Sequence, residues 1–330
     1  MGGGSVEIDA SASSQFVSAL LLAAPRMERG LDLRHVGPPV PSSPHIAMTV
    51  EVLRAAGIAV SALVGDGSPA GLPSSARPGR PAARWTVEPG TPRLGDVTVE
   101  ADLSNAGPFL AAAMVTGGRT AVLDWPARTA QGGEALRGIF TAMGGRAVYD
   151  PDASTLRLQG PHRIAPLDAD MHDVGELVPT VAAVAAFADG PSRLRNIGQL
   201  RAHETDRLAA IAAELARAGG SARIEGDDLV IQPRPLRGAR LESYADHRMA
   251  TFGAILGLRV EGIEVAGVET TAKTFPQFTD MWSELACAPG AGAAFDPDGE
   301  QRAPTPGGSR PRLIEPAAPG VGFTDGELPA

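Results

Sequence analysis

The sequence predicts an α/β fold in two domains, and three observations carry that expectation. Amphipathic helical runs alternate with short β-prone runs along most of the chain, the order expected of packed α and β layers. A passage from helix through glycine into strand recurs at 53–60, 143–148 and 217–223, spaced too widely for a solenoid and suited to a repeated βα module. The 330 residues, 43% of them hydrophobic, are enough for a buried core in each domain.

The elements follow in order. A helix over 13–24 carries Phe16, Val17, Leu20 and Leu21 on one face, and a second over 44–56 carries Ile46, Val50 and Leu53. Phe109, Leu110, Ala113 and Met114 mark a third over 105–115, and Leu136, Ile139, Phe140 and Met143 a fourth over 134–143. Each shows the i, i+3, i+4 spacing that lines up one apolar stripe. Alternation or Val/Leu enrichment predicts strands at 97–99, 121–123 and 155–158. Gly57, Gly144 and Gly219 suit the left-handed position just past a helix end. An apolar helix is expected over 177–188, with further helices opening near His203 and Asp246. The stretch 65–84, made of Gly, Ser, Pro and Arg, reads as a flexible exposed loop. From 288 to 330 the chain is Pro/Gly/Ala-rich without periodicity and reads as a disordered tail.

Composition narrows the function. A net charge of -9 argues against broad nucleic-acid or anionic-membrane binding, because phosphate contacts need excess Lys and Arg. The single cysteine, Cys287, leaves no internal disulfide framework and no cysteine-cluster metal site. The longest apolar run, 19–25, is far too short for a membrane span, and Met1-Gly2-Gly3-Gly4 has neither a basic region nor an apolar one. A soluble cytoplasmic protein is expected. Of 29 basic residues only Lys273 is lysine. Where Arg served equally well Lys would have drifted to Arg, so this position points to a need for a compact ammonium.

Five segments carry chemistry-bearing residues: His203-Glu204-Thr205-Asp206-Arg207, Asp246-His247-Arg248-Met249-Ala250, Thr271-Ala272-Lys273-Thr274-Phe275-Pro276, Ser13-Ser14-Gln15-Phe16, and Asp170-Met171-His172-Asp173-Val174-Gly175-Glu176. Helical spacing puts His203, Glu204 and Arg207 on one face of the first turns of a helix. Taken singly, each segment is equally well read as a helix cap, a surface ion pair or a solvated turn. Together they place arginines, one lysine, hydroxyls and glutamates at helix starts, where free N–H groups and the dipole favour anions. That set suits doubly anionic substrates and general acid/base work.

These segments, in this order, resemble the signature segments of the 5-enolpyruvylshikimate-3-phosphate synthase family, as do Asp102-Leu103-Ser104-Asn105-Ala106-Gly107-Pro108 and Asp173-Val174-Gly175-Glu176-Leu177. The likeness runs from about residue 3 to Leu285, and Asp173-Val174-Gly175-Glu176 with His203-Glu204-Thr205 is similar to the actinobacterial branch. It implies the enolpyruvyl transferase fold, two domains of repeated βαβαββ units with substrates in the cleft between them. It also implies enolpyruvyl transfer from phosphoenolpyruvate to the 5-hydroxyl of shikimate 3-phosphate, within the shikimate pathway to aromatic amino acids, with no metal or organic cofactor. By motif position Ser13, Ser14, Gln15 and Ser42 would hold shikimate 3-phosphate, with Glu176 on its hydroxyls as proton acceptor. Gln15, Arg207, Arg248 and Lys273 would bind phosphoenolpyruvate, His203 would touch both substrates, Glu204 would handle the methylene proton, and Lys273 would join Glu176 and Glu204 as a catalytic residue.

The departures from that pattern shape the expectation. The family's long N-terminal portion, with a Lys-Ser pair, an arginine and a Gly-rich loop, has no counterpart here. The layout expected is therefore an incomplete lower domain over 1–100, an upper domain over 101–287 lacking its first strand, and the tail. Gln131-Gly132-Gly133 replaces the usual Gln-Gly-Asp, and His45 stands where an aromatic is often found. A monomer inactive on its own follows from this, with the alternative of a non-catalytic anion-binding half or the C-terminal half of a split synthase partnered by a separate N-terminal chain. The sister family acting on UDP-N-acetylglucosamine uses a loop cysteine from the absent portion, a part Cys287 is not placed to play.

Overall fold

A computed structural model of the chain describes residues 2–63 and 84–287, together with the backbone of 312–314. Nearly all of the loop and tail expected at 65–84 and 288–330 lies outside the described residues. The first unit is a strand β1 (Gly4–Ile8), helix α1 (Ser14–Ala23), β2 (Leu31–His35), α2 (Ser43–Ala55), β3 (Val60–Leu63) and β4 (Arg84–Val87). β1 runs parallel to β2, and β4 lies antiparallel between β2 and β3. Val17 and Leu21 of α1 and Ile46, Val50 and Leu53 of α2 face this sheet and close one hydrophobic core with Leu33, Trp85 and Val87. The predicted apolar face of α1 is thus half used, because Phe16 is 52% exposed.

The same βαβαββ pattern returns as β8 (Asp168–Asp170), α5 (Val178–Ala185), β9 (Ser192–Arg195), α6 (Arg207–Arg217), β10 (Ser221–Glu225) and β11 (Asp228–Gln232). Again the first two strands are parallel, and the last inserts antiparallel between its neighbours. Between these units lie α3 (Leu103–Thr116), β5 (Arg119–Val122), α4 (Ala135–Ala142), β6 (Arg146–Asp150) and β7 (Thr155–Gln159), with sheet order β5-β7-β6. The last unit comprises β12 (Arg240–Glu242), α7 (His247–Gly257), β13 (Glu264–Ala266) and α8 (Phe278–Cys287), and the backbone strand β14 (Arg312–Ile314) runs parallel to β13. Gly57, Gly144 and Gly219 all take positive φ at the helix-to-strand passages, as the repeat predicts.

The expected strand at 97–99 is not formed. Val97 and Val99 are 63% and 87% exposed and pair with no described strand, so alternation alone had no sheet edge to join. A second difference has more consequence. α3, α5 and α7 read as ordinary apolar helices, yet they pack on one another in the middle of the larger core and are buried on nearly every side. Their Ala and Gly residues permit that close approach, and the sheets cover them from outside. This core runs from Leu103 to Trp282, separate from the one spanning Ala10 to Val87. The two meet where α2 begins. Ser42 N donates to the His172 carbonyl at 3.2 Å, and the Ser43 hydroxyl donates to Asp173 Oδ1 at 2.9 Å.

Candidate active site

The first turns of α3 and α7 come together beside the start of α5. Asp102 caps α3 by accepting from the N–H groups of Ser104 and Asn105 at 2.9 and 3.0 Å, and Asp246 caps α7 by accepting from Arg248 N at 2.8 Å. Arg248 Nη2 then donates to Ser104 Oγ at 3.1 Å, which joins the two helix starts. Thr180 of α5 lines the same small cavity with Ser104, His247, Arg248 and Thr271. Asn105 Nδ2 donates to the Thr274 carbonyl at 3.3 Å and so ties α3 to the 3-10 turn Val268–Lys273. Helix starts converging in this way aim free N–H groups and positive dipole ends at one place.

Charged side chains fill in around it. Arg207 and Asp246 form a buried two-pronged pair, Nε to Oδ2 at 2.7 Å and Nη2 to Oδ1 at 3.1 Å, with side chains 3% and 0% exposed. Lys273 Nζ donates to Glu204 Oε2 at 3.1 Å and to the Ala245 carbonyl at 2.9 Å. His247 Nδ1 lies 3.3 Å from Glu204 Oε1; burial, then the Arg248 charge, pushes its imidazole below the usual range, so it is neutral at pH 7. Desolvation and then the Arg207 charge take His203 down to about 4, although much of its surface remains in water. The neutral His203 ring sits 3.1 Å from Arg207 Nη1 and accepts its hydrogen bond through Nδ1.

Arg248 is left over. Among the described residues no carboxylate lies within 4.0 Å of its guanidinium, and burial followed by repulsion from Arg207 pushes it down from its ordinary value. Arg207 and Lys273 thus have carboxylate partners in Asp246 and Glu204, whereas Arg248 feels only the more distant charges of Glu176, Asp102 and Asp246. Glu204, Asp246 and His247 do offer three ligand atoms within 4.8 Å of one another. A metal ion there would have to displace those cations, and it would sit beside Arg248. The charges of the cluster suit an anion better than a metal ion.

The expected residues fall in three places. Arg207 touches His203 and Lys273 touches Glu204, while Arg248 meets this group through the N–H it gives to Asp246, the partner of Arg207. His203 and Glu204 are not, however, in the first turns of a helix as the spacing predicted. Asp206 caps α6 by accepting from Ala209 N at 3.0 Å, so the helix begins at Arg207 and His203 is extended. Glu176, 7% exposed, lies just before α5, its Oε2 without a hydrogen bond and its Oε1 3.8 Å from His45. Gly132 makes room for it, since a Cβ there would stand 2.5 Å from Glu176 Oε1. Ser42 is buried at the start of α2 with φ 54, and its hydroxyl caps no N–H. Ser13 caps α1, its Oγ accepting from Gln15 N at 3.2 Å, while Ser14 is buried and Gln15 exposed. Among the described residues no hydrogen bond or ion pair joins Ser13, Ser14 or Gln15 to the arginine–lysine cluster. Sequence reasoning left Ser104, Asp246 and His247 without roles, though Asp102 and Asp246 each carry the signal of an acidic cap before an apolar run.

A family model described as EPSP synthase (3-phosphoshikimate 1-carboxyvinyltransferase) matches residues 1–282. The chain belongs to the EPSP synthase family. Every candidate residue from Ser13 to Lys273 falls within the matched span. Among EPSP synthase relatives, the 3-phosphoshikimate 1-carboxyvinyltransferase of Kocuria rhizophila is 50% identical over 284 residues, 86% of this chain and 60% of that protein. The solved EPSP synthase of Acinetobacter baumannii is 22% identical with a TM-score of 0.64, over 87% of this chain and 62% of that one. The enolpyruvyl transferase NikO of Streptomyces tendae is 16% identical with a TM-score of 0.60, over 86% and 64%. Both structures share the mixed α/β fold. The chain therefore spans about three fifths of the length of these EPSP synthases. Among the described residues no helix is long and apolar enough to cross a membrane.

Proposed function

We propose that this chain carries the phosphoenolpyruvate-binding and proton-transfer groups of a 3-phosphoshikimate 1-carboxyvinyltransferase. The observation that carries the reading is the Arg248 guanidinium, partly buried at the meeting of helix starts, bonded to Ser104 Oγ and, among the described residues, with no carboxylate within 4.0 Å. The 5-hydroxyl oxygen of shikimate 3-phosphate adds to C2 of phosphoenolpyruvate as C3 takes up a proton. The C2–O bond to phosphate then breaks as C3 gives a proton back. Arg248 and Lys273 neutralise the phosphate and carboxylate charge, and Arg207, through Nη1 and His203, lies alongside. Charge-assisted contacts of this kind are worth about 1.5–3 kcal/mol each. Glu204, held by Lys273, handles the C3 proton, and Glu176 accepts the proton of the attacking hydroxyl. Ser13, Ser14, Gln15 and Ser42 hold shikimate 3-phosphate.

In this reading residues 1–100 and 101–287 are two domains with the substrates between them. The protein works as a cytoplasmic monomer, and turnover needs the family's N-terminal portion, on the same chain or a second one. Phosphate release from both substrates tests this. The chain assayed alone should show none, and addition of the N-terminal portion of the Kocuria rhizophila relative should bring it up. In that restored enzyme Lys273→Arg should lose about tenfold in kcat/KM for phosphoenolpyruvate, roughly 1.4 kcal/mol, while the exposed Arg146→Lys stays near wild type. Full efficiency in Lys273→Arg would show that the lone lysine is an accident of composition.

A further inference from the structure

The turn that delivers Asp246, His247 and Arg248 is strained. Tyr244 and Ala245 have φ of 56 and 54, and among the described residues they are the one consecutive non-glycine pair with positive φ. Asp246 N donates to the Ser243 carbonyl at 2.9 Å, so these are the two central residues of a tight turn whose conformation normally selects Asn-Gly. Neither a phenol ring nor a methyl group favours it, and such conformations persist only where the surroundings over-determine them.

Those surroundings are specific. Glu214 of α6 is fully buried, and its carboxylate accepts from Glu242 N at 3.0 Å, Arg217 Nε at 3.1 Å and Tyr244 Oη at 2.6 Å. Tyr244 is 40% exposed, so burial is not what fixes it; the hydrogen bond of its hydroxyl is. Burial and then this bond raise its phenol above the ordinary value, which keeps the proton in place. On the other side of the turn the Ala245 carbonyl accepts from Thr270 Oγ1 at 2.8 Å and from Lys273 Nζ at 2.9 Å.

We propose that Tyr244 and Glu214 are positioning residues for the anion site: their hydrogen bond holds the left-handed turn that aims the Ala245 carbonyl at Lys273 and Asp246 at Arg207. Neither touches the anion. The role in catalysis rests on the function proposed above; the positioning of Lys273 does not. Without the latch the turn relaxes toward ordinary φ, the Ala245 carbonyl swings away, and the ammonium loses one of its two acceptors.

Because Lys273 is the sole lysine, acylation of the full chain by an amine-directed ester, followed by peptide mapping, reads that one side chain. Tyr244→Phe removes only the hydroxyl and should speed acylation of Lys273 about threefold, on the scale of one ordinary hydrogen bond. Glu214→Gln, on protein with unchanged far-UV circular dichroism, should act in the same direction. Adding Ala245→Gly to Tyr244→Phe should return the rate to that of the wild type, because glycine takes positive φ freely. A merely structural loss would not be repaired by that change. An unchanged rate in Tyr244→Phe, or a double variant as fast as Tyr244→Phe, overturns the proposal. Protection of wild-type Lys273 by phosphoenolpyruvate reads the anion site separately. Its absence, with the Tyr244→Phe effect intact, would sink the functional reading and leave the positioning role standing.

Discussion

Asp246→Asn is the sharpest perturbation of this site. The substitution keeps the shape and an oxygen that still caps α7, and it removes the charge that faces Arg207. Both side chains are within a few per cent of full burial, at 3% and 0% exposed. Deleting one partner of such a pair leaves the other charge stranded, a cost of about 3–5 kcal/mol. At about 2–4 °C per kcal/mol for a unit of this size, the melting temperature should fall by roughly 6–20 °C. Calorimetry at pH 7 on Asp246→Asn, Arg207→Met and the double variant measures it. The double should be less destabilised than the two singles added together, because it leaves no charge alone. A loss below about 1 kcal/mol in Asp246→Asn, or a strictly additive cycle, would refute the reasoning. The pair has an acid limit as well. Burial by itself would raise the Asp246 carboxyl, but the Arg207 hydrogen bonds and charge overcome that and hold it below the ordinary range. Its contribution is therefore complete above the unfolded value near 3.9 and is lost as pH falls below that through the folded value.

Three further outcomes follow from the same geometry. His203 is held down to about 4 in the folded protein against about 6.5 unfolded, so the unfolded chain takes up the extra proton between those values. Stability should fall as pH drops from 6.5 to 4, and His203→Gln should flatten that part of a pH series of melting curves; an identical slope would count against a neutral His203. Arg248→Met removes a partly buried charge that has no carboxylate within 4.0 Å among the described residues, and should raise stability by about 1 kcal/mol while abolishing phosphoenolpyruvate protection of Lys273. A destabilised Arg248→Met would mean that the Ser104 bond and the surrounding carboxylates outweigh the cost of burying the charge. Gly132→Ala places a methyl 2.5 Å from Glu176 Oε1 and should cost about 1–3 kcal/mol in chemical denaturation, with Glu176 displaced; a neutral result would mean that the carboxylate moves freely.

The fold was legible where local pattern and tertiary use agree. α1, α2 and α4 each bury one stripe against a sheet, so their spacing gave them within a residue or two, and Gly57, Gly144 and Gly219 marked the repeat through a backbone need. It was illegible where use is set by distant chain. Val97-Thr98-Val99 alternates like a strand but meets no partner. α3, α5 and α7 read as ordinary apolar helices, while the composition that matters is their small residues, which let three helices bury each other.

The site divides the same way. Lys273 stood out through composition, and Arg207 and Arg248 through helix starts, because charge at a helix N-terminus is a local signal. What they do there is not local. Arg207 and Arg248 are indistinguishable in sequence, each one residue or two past an acidic cap. The structure separates them, since Asp246 caps α7 and turns its carboxylate to the arginine of α6, 39 positions away, rather than to its own neighbour. That one choice of partner pairs Arg207 and leaves Arg248, among the described residues, with no carboxylate within 4.0 Å. The stranded charge, which carries the functional reading, is therefore a product of how α6 and α7 pack.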